Sequence, residues 1–410
     1  MDKEYVTIEE VEEAYYDCRK HKRGKKSSLE YELNYELNNL RLWRDLNSET
    51  YEISTCICFY VTRPKLREVF CANFRDRIVH HLIMRKFLPL FESCMIDDSY
   101  NCRVGKGVFY GINRVKQHIA DVSNSYTREA WCLCLDLKGF FMSIDRDILW
   151  HIIENTIRYN YHNDDIEWWL RLIHKVVSHR PEQNCDIRGE IYLKELISPD
   201  KSLFHSDGKG LPIGNLTSQI FANFYMTMYD RWLCSQLNTN ERYGRYVDDI
   251  RIIGVDKARL LRLLYLSRRW LTDNLHVSIH PNKVSIQSVH KGVFFIGSVI
   301  KHGRTYAGRN IVDAAFGAVS DWNKDQNPNT PHYVQRINSY FGFLIHCNSY
   351  AIRWRIWNGI KDKSDICCVR MDKLKIINNN SQFEQEEVNG QLIATWHKSN
   401  NYELHQDNNR

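Results

Sequence analysis

The stretch RYVDDIRIIG, residues 245–254, restricts the fold most, because it places two adjacent acids inside a strand sequence. Tyr246, Val247 and the isoleucines that follow are aromatic or β-branched and predict a mostly buried strand, yet Asp248 and Asp249 stand within it. Burying one unpaired carboxylate already costs several kcal/mol. The two acids must therefore lie at a strand end or turn, or must be compensated.

Two interpretations of this pair are open, and both place it at the tip of a β-hairpin. In the first, Asp248 and Asp249 occupy the tip only because turns favour Asp for local reasons, and two adjacent Asp residues are common. In the second, the carboxylates at the tip hold a divalent cation, which neutralises them. The second interpretation requires a further acidic ligand elsewhere in the chain.

A second strand supplies a candidate for that ligand. In WCLCLDLKGFF, residues 131–141, period-two alternation puts Cys132, Cys134 and Asp136 on one face and leucines on the other. An Asp at the end of such an apolar strand is the same anomaly. If the two strands are neighbours, three carboxylates converge, which suits two Mg²⁺ ions bridging a triphosphate and predicts nucleotidyl transfer.

Composition limits the partners and the cellular compartment. Lys and Arg total 56 against 50 Asp and Glu, so a polyanion must be met by local patches such as KHKRGKK, Lys20–Lys26, for which a solvated loop is the alternative. The 13 cysteines form no CxxC pair and suggest small buried side chains in a reducing compartment. With no signal peptide or membrane-length apolar run, we expect a soluble, cytoplasmic protein without membrane contact.

The remaining pattern predicts an α+β chain with a small antiparallel sheet. Residues 7–47 read as helical, opened by a Thr-x-x-Glu capping box, with Leu29, Leu33, Leu37 and Leu40 at helical spacing. Residues 131–141 read as one strand, SQIFANFYMTMYDRWLCSQL as one long helix, and residues after 311 as mainly helical before a polar end.

Taken together in order, these motifs resemble the palm of reverse transcriptases: LDLKGFF, then GLPIGNLTSQIFANFY, then YVDD. Four other blocks look like the fingers, primer-grip and thumb-entry segments of bacterial members: RPKLREVFCANFRDRIVHHLI, DSYNCRVGKG, HPNKVSIQSVHKGVFFIG and SYFGFLIHCNSY. The resemblance covers about residues 60–350. Because several motifs agree in order, it is far more specific than YVDD alone.

Within the family, the segment PIGNLTSQ narrows the resemblance. Group II intron and retroviral enzymes usually carry Gln where this chain has Ile213, and Pro where it has Gln219. The Ile form, together with RDRIVHH and SYNCRVGKG, looks most like diversity-generating retroelement enzymes. Defence-associated bacterial reverse transcriptases share much of this pattern, and the sequence does not separate the two.

The resemblance implies a right-hand polymerase with fingers, a palm carrying a small antiparallel sheet, and a helical thumb. The implied divisions are an N-terminal helical extension (1–50), fingers (51–130), palm (131–300, with a helical fingers insertion at about 150–205), thumb (301–370) and a polar tail (371–410). The tail has no family counterpart.

The resemblance also implies the roles of the acids and of one lysine. Asp136, Asp248 and Asp249 would hold two Mg²⁺ ions, for which Mn²⁺ can substitute, with the backbone carbonyl of Leu137 as a further ligand. Lys283, in HPNK, matches a candidate proton donor to the leaving group, with a surface lysine as the alternative.

Nucleotide contacts are implied at several further positions. Lys65 and Arg67 would meet the triphosphate from a fingers strand, and Phe141 would block a ribose 2′-hydroxyl. Gly214 would let the backbone approach the incoming base pair, and Ile213 and Gln219 would lie near the nucleotide. The alternatives are a solvated edge strand for the two cations, and simple core packing for Phe141 and Ile213.

The function so implied is that of an RNA-directed DNA polymerase. We expect a dedicated noncoding RNA as template and scaffold, held by Lys20–Lys26 and SYNCRVGKG, with a primer, the cDNA product and deoxynucleoside triphosphates as further ligands. A diversity-generating role would add a small basic accessory protein, whereas an antiphage defence role would favour homo-oligomers. A palm-type cyclase, a DNA-templated polymerase and a catalytically silent RNA-binding scaffold are the remaining alternatives.

Overall fold

The computed structural model describes residues 4–20, 22–63, 65–377, 383–388 and 391–396. The chain divides into two compact units, Met1–Gln287 and Ser288–Arg410. The finer division into extension, fingers, palm, thumb and tail stays a prediction.

Helices dominate the first unit. They are α1 (Ile8–Arg19), α2 (Lys26–Glu32), α3 (Tyr35–Asn47), α4 (Phe74–Cys94), α5 (Val108–Val122), α6 (Phe140–Ser143), α7 (Arg146–Asn160), α8 (Ile166–Ser178), α9 (Leu216–Tyr225), α10 (Thr227–Gln236) and α11 (Lys257–Leu275). The strands are β1 (Cys56–Val61), β2 (Arg67–Cys71), β3 (Trp131–Asp136), β4 (Cys185–Arg188), β5 (Glu241–Tyr246), β6 (Asp249–Gly254) and β7 (Ser285–Ser288).

A four-stranded sheet in the order β5-β6-β3-β7 is the centre of this unit. Strand β6 runs antiparallel to both β5 and β3. Leu133 and Leu135 of β3 and Ile250 and Ile252 of β6 are buried in one large apolar core. The predicted α+β class with a small antiparallel sheet is confirmed.

A second sheet, in the order β2-β1-β4, lies in the predicted fingers region. β1 and β2 form an antiparallel hairpin, and β4, which follows α8, adds to β1 in parallel. Cys58 and Phe70 of this sheet pack with Met142 and Leu203 in a small apolar cluster. This cluster joins the sheet to α6 through Met142 and to the segment before α9 through Leu203.

The second unit contains β8 (Val293–Phe295), β9 (Ser298–Lys301), β10 (Arg304–Ala307), α12 (Arg309–Lys324), α13 (Thr330–Leu344), α14 (Tyr350–Gly359), β11 (Ile366–Val369), β12 (Lys373–Ile376), β13 (Phe383–Val388) and β14 (Gln391–Trp396). Its core joins the three helices to the β11–β12 hairpin, where Met371 and Leu374 are buried. Residues 371–376 therefore belong to a packed hairpin, and the predicted boundary at 370/371 falls inside it.

Residues 7–47 are mainly helical, as predicted, and form the three helices α1, α2 and α3. The Thr7–Glu10 capping box at α1 is confirmed, but the chain leaves the helical conformation at Asn34, between α2 and α3. The four evenly spaced leucines are all exposed, Leu33 most of all at 81%.

Two other element predictions were too long. The strand predicted for residues 131–141 ends at Asp136, because Gly139 adopts a left-handed conformation (φ +53°) and α6 begins at Phe140. The single helix predicted from Ser218 to Leu237 is interrupted at Met226 and forms α9 and α10. Within the described residues, no helix is long and apolar enough to cross a lipid bilayer.

Candidate active site

The β5–β6 hairpin carries the two adjacent acids at its tip, as both interpretations of the sequence predicted. Tyr246 pairs with Asp249, so Val247 and Asp248 form the connecting turn. Val247 has φ +57°, a left-handed conformation that is unfavourable for a β-branched residue. Tight turns of this hand match the twist of the strands they connect. Asp248 therefore lies in a constrained turn and Asp249 begins β6.

The third acid lies on the neighbouring strand. Asp136, the last residue of β3, is the direct cross-strand partner of Asp249. Residues paired in this way have Cβ atoms about 4.5–5.5 Å apart. The amide of Leu137 donates to the carbonyl of Asp248 at 3.3 Å, which ties the end of β3 to the turn. The sheet thus brings Asp136, Asp248 and Asp249 to one edge.

A buried ion pair that sequence reasoning missed supports the turn from inside. Arg245 and Asp230 are both fully buried, and Arg245 donates through Nε and Nη2 to the two oxygens of Asp230, at 2.8 and 2.6 Å. Its Nη1 donates to the carbonyl of Val247 at 2.9 Å. The hydroxyl of Tyr243 donates to Asp230 at 2.6 Å. The sequence gives no clear signal for this pair, because Arg245 is one of three charged residues in β5 and Asp230 lies on a separate helix.

The segment DSYNCRVGKG, residues 98–107, also supports the hairpin. The amide of Arg245 donates to the carbonyl of Asp98 at 2.9 Å, and the amide of Tyr100 donates to the carbonyl of Arg245 at 3.0 Å. Arg103 donates to the carbonyl of Ser99 at 3.2 Å. Lys106 pairs with a neighbouring acid. The start of this segment is therefore hydrogen-bonded to β5. Contact of the segment with RNA phosphates stays a prediction.

Each strand-end carboxylate at the edge has a cationic partner. Lys283, on the 3-10 turn Pro281–Lys283, places Nζ 2.7 Å from Asp136 Oδ1. Arg251 places Nη1 2.6 Å from Asp249 Oδ1. Burial, and then the neighbouring charges of Asp136 and Asp249, raise the pKa of Asp248 to about 6, with Lys283 acting in the opposite direction. Burial and the neighbouring negative charges both disfavour the charged form of the Asp248 carboxylate, and a positive charge bound nearby would favour that form.

The donors at this edge fit divalent cations of the Mg²⁺ type, which prefer carboxylate and carbonyl oxygens. Leu137 was predicted to offer its backbone carbonyl as a further ligand. In the β-bridge between Leu137 and Ile279, the amide of His280 donates to the carbonyl of Asp136 at 2.8 Å and not to the carbonyl of Leu137. Among the described residues, however, no three acidic, His or Cys side chains are already assembled as a metal site. Two of the three carboxylates are instead turned onto Lys283 and Arg251.

Two expected nucleotide-site residues lie between the two sheets. Phe141, on α6, is half-buried, and its carbonyl accepts from the amide of Leu211 at 2.8 Å. The carbonyl of Ile213, which is also half-buried, accepts from the amide of Phe70 at 2.8 Å. The loop LPIGN is thereby attached to β2, the strand that begins with Arg67.

Gly214 has a structural requirement of its own. Its φ is +125°, and a Cβ at this position would lie 2.5 Å from the carbonyl oxygen of Phe70. Only glycine accommodates both conditions. The structure therefore accounts for Gly214 by the attachment of its loop to β2, and close approach to an incoming base pair stays a prediction.

The remaining expected contacts lie at exposed positions. Lys65 and Arg67 are exposed in the β1–β2 hairpin. Gln219 is exposed on α9, where its side-chain oxygen accepts from Cys102 Sγ at 3.1 Å. Their roles toward a nucleotide stay predictions.

Comparisons with known proteins place this site in a family. Residues 62–300 match the family described as Reverse transcriptase (RNA-dependent DNA polymerase). Protein YkfC of Escherichia coli is 24% identical over 305 residues, covering 66% of this chain and 73% of that protein. A putative COX1/OXI3 intron 1 protein of Saccharomyces cerevisiae is 24% identical over 200 residues, covering 48% of this chain but only 20% of its own length.

Solved structures similar to this chain include apo telomerase from Candida tropicalis, with a TM-score of 0.45 at 10% identity, over 75% of this chain and 61% of that one. Telomerase from Candida albicans, solved with a fragment of telomeric RNA, gives a TM-score of 0.41 at 10% identity, over 75% and 55%. The chain thus spans less than two thirds of these telomerases.

The family match covers β2, the LPIGN loop, both strands that carry the carboxylates, and the 3-10 turn of Lys283. The predicted enzyme class, RNA-directed DNA polymerase, and the right-hand polymerase fold class are confirmed at the level of the family. Particular closeness to diversity-generating enzymes stays a prediction. By the match of residues 62–300, more than half of its length, this chain belongs to the reverse transcriptase family.

Proposed function

We propose that this protein synthesises cDNA on a dedicated noncoding RNA by two-metal nucleotidyl transfer. The observation that carries the proposal is the cross-strand pair of Asp136 and Asp249 with Asp248 in the adjoining turn. Divalent ions bound at such carboxylates supply activation of the primer 3′-hydroxyl and neutralisation of the leaving pyrophosphate. We propose Mg²⁺ as the physiological ion, with Mn²⁺ as a substitute.

Other side chains then act on the nucleotide. Lys65 and Arg67, exposed on the β1–β2 hairpin, bind the triphosphate and offset the charge that develops as pyrophosphate leaves. Phe141 lies beneath the incoming sugar and excludes a 2′-hydroxyl by steric overlap. Lys283, whose Nζ already contacts Asp136, is close enough to the carboxylates to donate a proton to the leaving group.

The RNA is bound through phosphate contacts. Lys22, Arg23, Lys25 and Lys26 lie close together between α1 and the start of α2, and all but Lys22 are exposed, which suits a flexible polyanion. RNA that copurifies with the full-length protein should sequence as one dominant species. A random mixture of cellular RNAs would contradict a dedicated template.

Two biological roles fit this chemistry. A diversity-generating retroelement is favoured by Ile213 and by the motifs RDRIVHH and SYNCRVGKG, and it would add a small basic accessory protein. Antiphage defence with a noncoding RNA partner, and with homo-oligomers, is the second candidate, since defence-associated enzymes share the pattern. A catalytically silent RNA-binding scaffold has no need of three acids at one sheet edge.

Changing the acids of the turn tests the proposal. Asp248→Asn with Asp249→Asn should abolish Mg²⁺-dependent deoxynucleotide incorporation on an RNA template and leave RNA binding nearly intact, because the proposed phosphate contacts lie elsewhere. Asp273→Asn, which changes an exposed carboxylate on α11, is the matched control and should behave as the wild type. Synthesis near the wild-type rate in the double variant would reject this site.

A further inference from the structure

Arg251 is a buried cation in the middle of β6. It lies two residues after Asp249, and its side chain is only 5% exposed, although isoleucines surround it in the strand. Removing a guanidinium from water costs several kcal/mol unless it is paired and hydrogen-bonded. The partners of Arg251 therefore indicate the role of this buried charge.

One of those partners belongs to the candidate active site. Nη1 of Arg251 donates to Asp249 Oδ1 at 2.6 Å and to the carbonyl of Ile250 at 2.7 Å. Side chains alternate along a strand, so Asp249 and Arg251 lie on the same face of β6. A buried group thus holds one oxygen of a carboxylate that is itself 27% exposed at the sheet edge.

The neighbouring strands enclose the guanidinium. In the register of the sheet, Arg251 lies between Gly244 of β5 and Cys134 of β3, which are both small. The space beside Gly244 is filled by Tyr100, whose Oη would lie 2.5 Å from a Cβ at that position. With only 5% of its side chain exposed, Arg251 is far less able to move into solvent than a surface side chain.

Lys283 makes an instructive contrast. It pairs with Asp136, but its side chain is 50% exposed on a 3-10 turn. Exposed pairs of this kind contribute little, and such a lysine is free to move when a cation or substrate binds. Arg251 is therefore the positive charge that stays beside the carboxylates throughout a reaction cycle.

We propose that Arg251 is a positioning residue that fixes the orientation of the Asp249 carboxylate and sets the affinity of the three-carboxylate cluster for divalent cations. This inference rests on the proposed function of the cluster. Holding Oδ1 limits rotation of the carboxylate. The fixed positive charge repels bound cations and so keeps their affinity moderate.

Cation binding measured without catalysis tests the affinity part of the proposal. Arg251→Met, Arg251→Lys and the control Arg242→Met are compared in the full-length chain, with Mn²⁺ binding followed by the electron paramagnetic resonance signal of the free ion. Arg242 lies on the neighbouring strand away from the turn and donates to the carbonyls of Thr239 and Glu241.

Arg251→Met should bind Mn²⁺ about tenfold more tightly than the wild type, since a unit charge about 6 Å from a divalent ion has an effect of that size even in a water-like dielectric. Arg251→Lys keeps the charge and should retain wild-type affinity. Arg242→Met should also match the wild type.

A second measurement tests orientation. At saturating Mg²⁺, the maximal rate of single-nucleotide incorporation should fall by about tenfold or more in both Arg251 variants, with little change in the KM for the nucleotide, because an interaction made in the transition state is lost. Arg251→Lys should thus separate the two effects, with normal affinity and a low rate. A purely structural role would not produce this separation.

Equal Mn²⁺ affinity in Arg251→Met and the wild type would overturn the inference. If Arg251→Met does not fold, Arg251→Lys decides: a wild-type maximal rate overturns the proposal, and a reduced rate at wild-type affinity supports it. Failure of the proposed function is distinguishable, because Asp248→Asn with Asp249→Asn would then bind Mn²⁺ as the wild type does.

Discussion

Replacing Arg245 by leucine should destabilise the first unit and disable the turn of the β5–β6 hairpin. The change leaves the carboxylate of Asp230 fully buried without its guanidinium partner. It also removes donors from the carbonyls of Val247 and Asn223 and from Ser99 Oγ. Breaking a buried pair in this way costs about 3–5 kcal/mol, a large part of the 5–15 kcal/mol by which a typical domain is stable.

Urea unfolding, followed separately for each of the two units, measures this loss. Arg242→Leu is the matched control on the same strand, where the side chain is only half-buried and donates to local carbonyls, and it should change the free energy of unfolding by no more than about 0.5 kcal/mol. The double variant Arg245→Leu with Asp230→Leu should be less destabilised than the sum of the single variants, because no uncompensated charge remains.

A loss below about 1 kcal/mol for Arg245→Leu would refute this reasoning, since it would mean that the pair contributes no more than a surface salt bridge. Additive effects in the double variant would refute it too.

Four further outcomes follow from individual residues. Phe141→Ala should admit ribonucleotides, because the ring would no longer exclude the 2′-hydroxyl, and an unchanged ratio of ribo- to deoxynucleotide incorporation would assign Phe141 to the core alone. Ile213→Gln should lower misincorporation, which we expect to be high in the wild type and worst opposite adenine, because an apolar contact discriminates by only about 1–3 kcal/mol. The measurement is single-nucleotide incorporation opposite each of the four template bases. Equal error spectra for the two proteins would show that Ile213 does not set nucleotide selectivity. Gly214→Ala should destabilise the first unit in urea by more than about 1 kcal/mol, because the added Cβ meets the Phe70 carbonyl at 2.5 Å and φ is +125°. Burial lowers the pKa of His80 from 6.5 to about 3, so between pH 6.5 and pH 5 the unfolded chain binds a proton at His80 and the folded chain does not. Acidification over this range should therefore lower the free energy of unfolding by about 2 kcal/mol. His80→Leu, compared with the wild type in urea at both pH values, should abolish this part of the pH dependence.

The carboxylate edge could be predicted from the sequence because each of its strands carries its own anomaly. Asp136 ends an apolar strand, and Asp248 and Asp249 interrupt another, so pairing of the two strands was the only assumption required. Period-two alternation then placed the acids on a common edge. No long-range information beyond that one pairing was needed.

The support behind the edge could not be predicted in the same way. Arg245 contacts Asp230, Ser99 and Asn223, which lie in separate helices and loops, and no local pattern specifies which distant groups will meet a buried guanidinium. The break between α2 and α3 could not be predicted either. The leucines on both sides of it keep a regular helical spacing, yet the chain leaves the helical conformation at Asn34.

The most direct test of the central claim is RNA-templated single-nucleotide incorporation by Asp136→Asn alone. Asp136 comes from β3 and the other two acids from the β5–β6 hairpin, so residues of different strands must act as one site. Removal of any member of such a unit should reduce synthesis to background, and Asp136→Asn combined with Asp248→Asn and Asp249→Asn should be no worse than Asp136→Asn itself. Synthesis by Asp136→Asn near the wild-type rate, with RNA binding intact, would contradict the account.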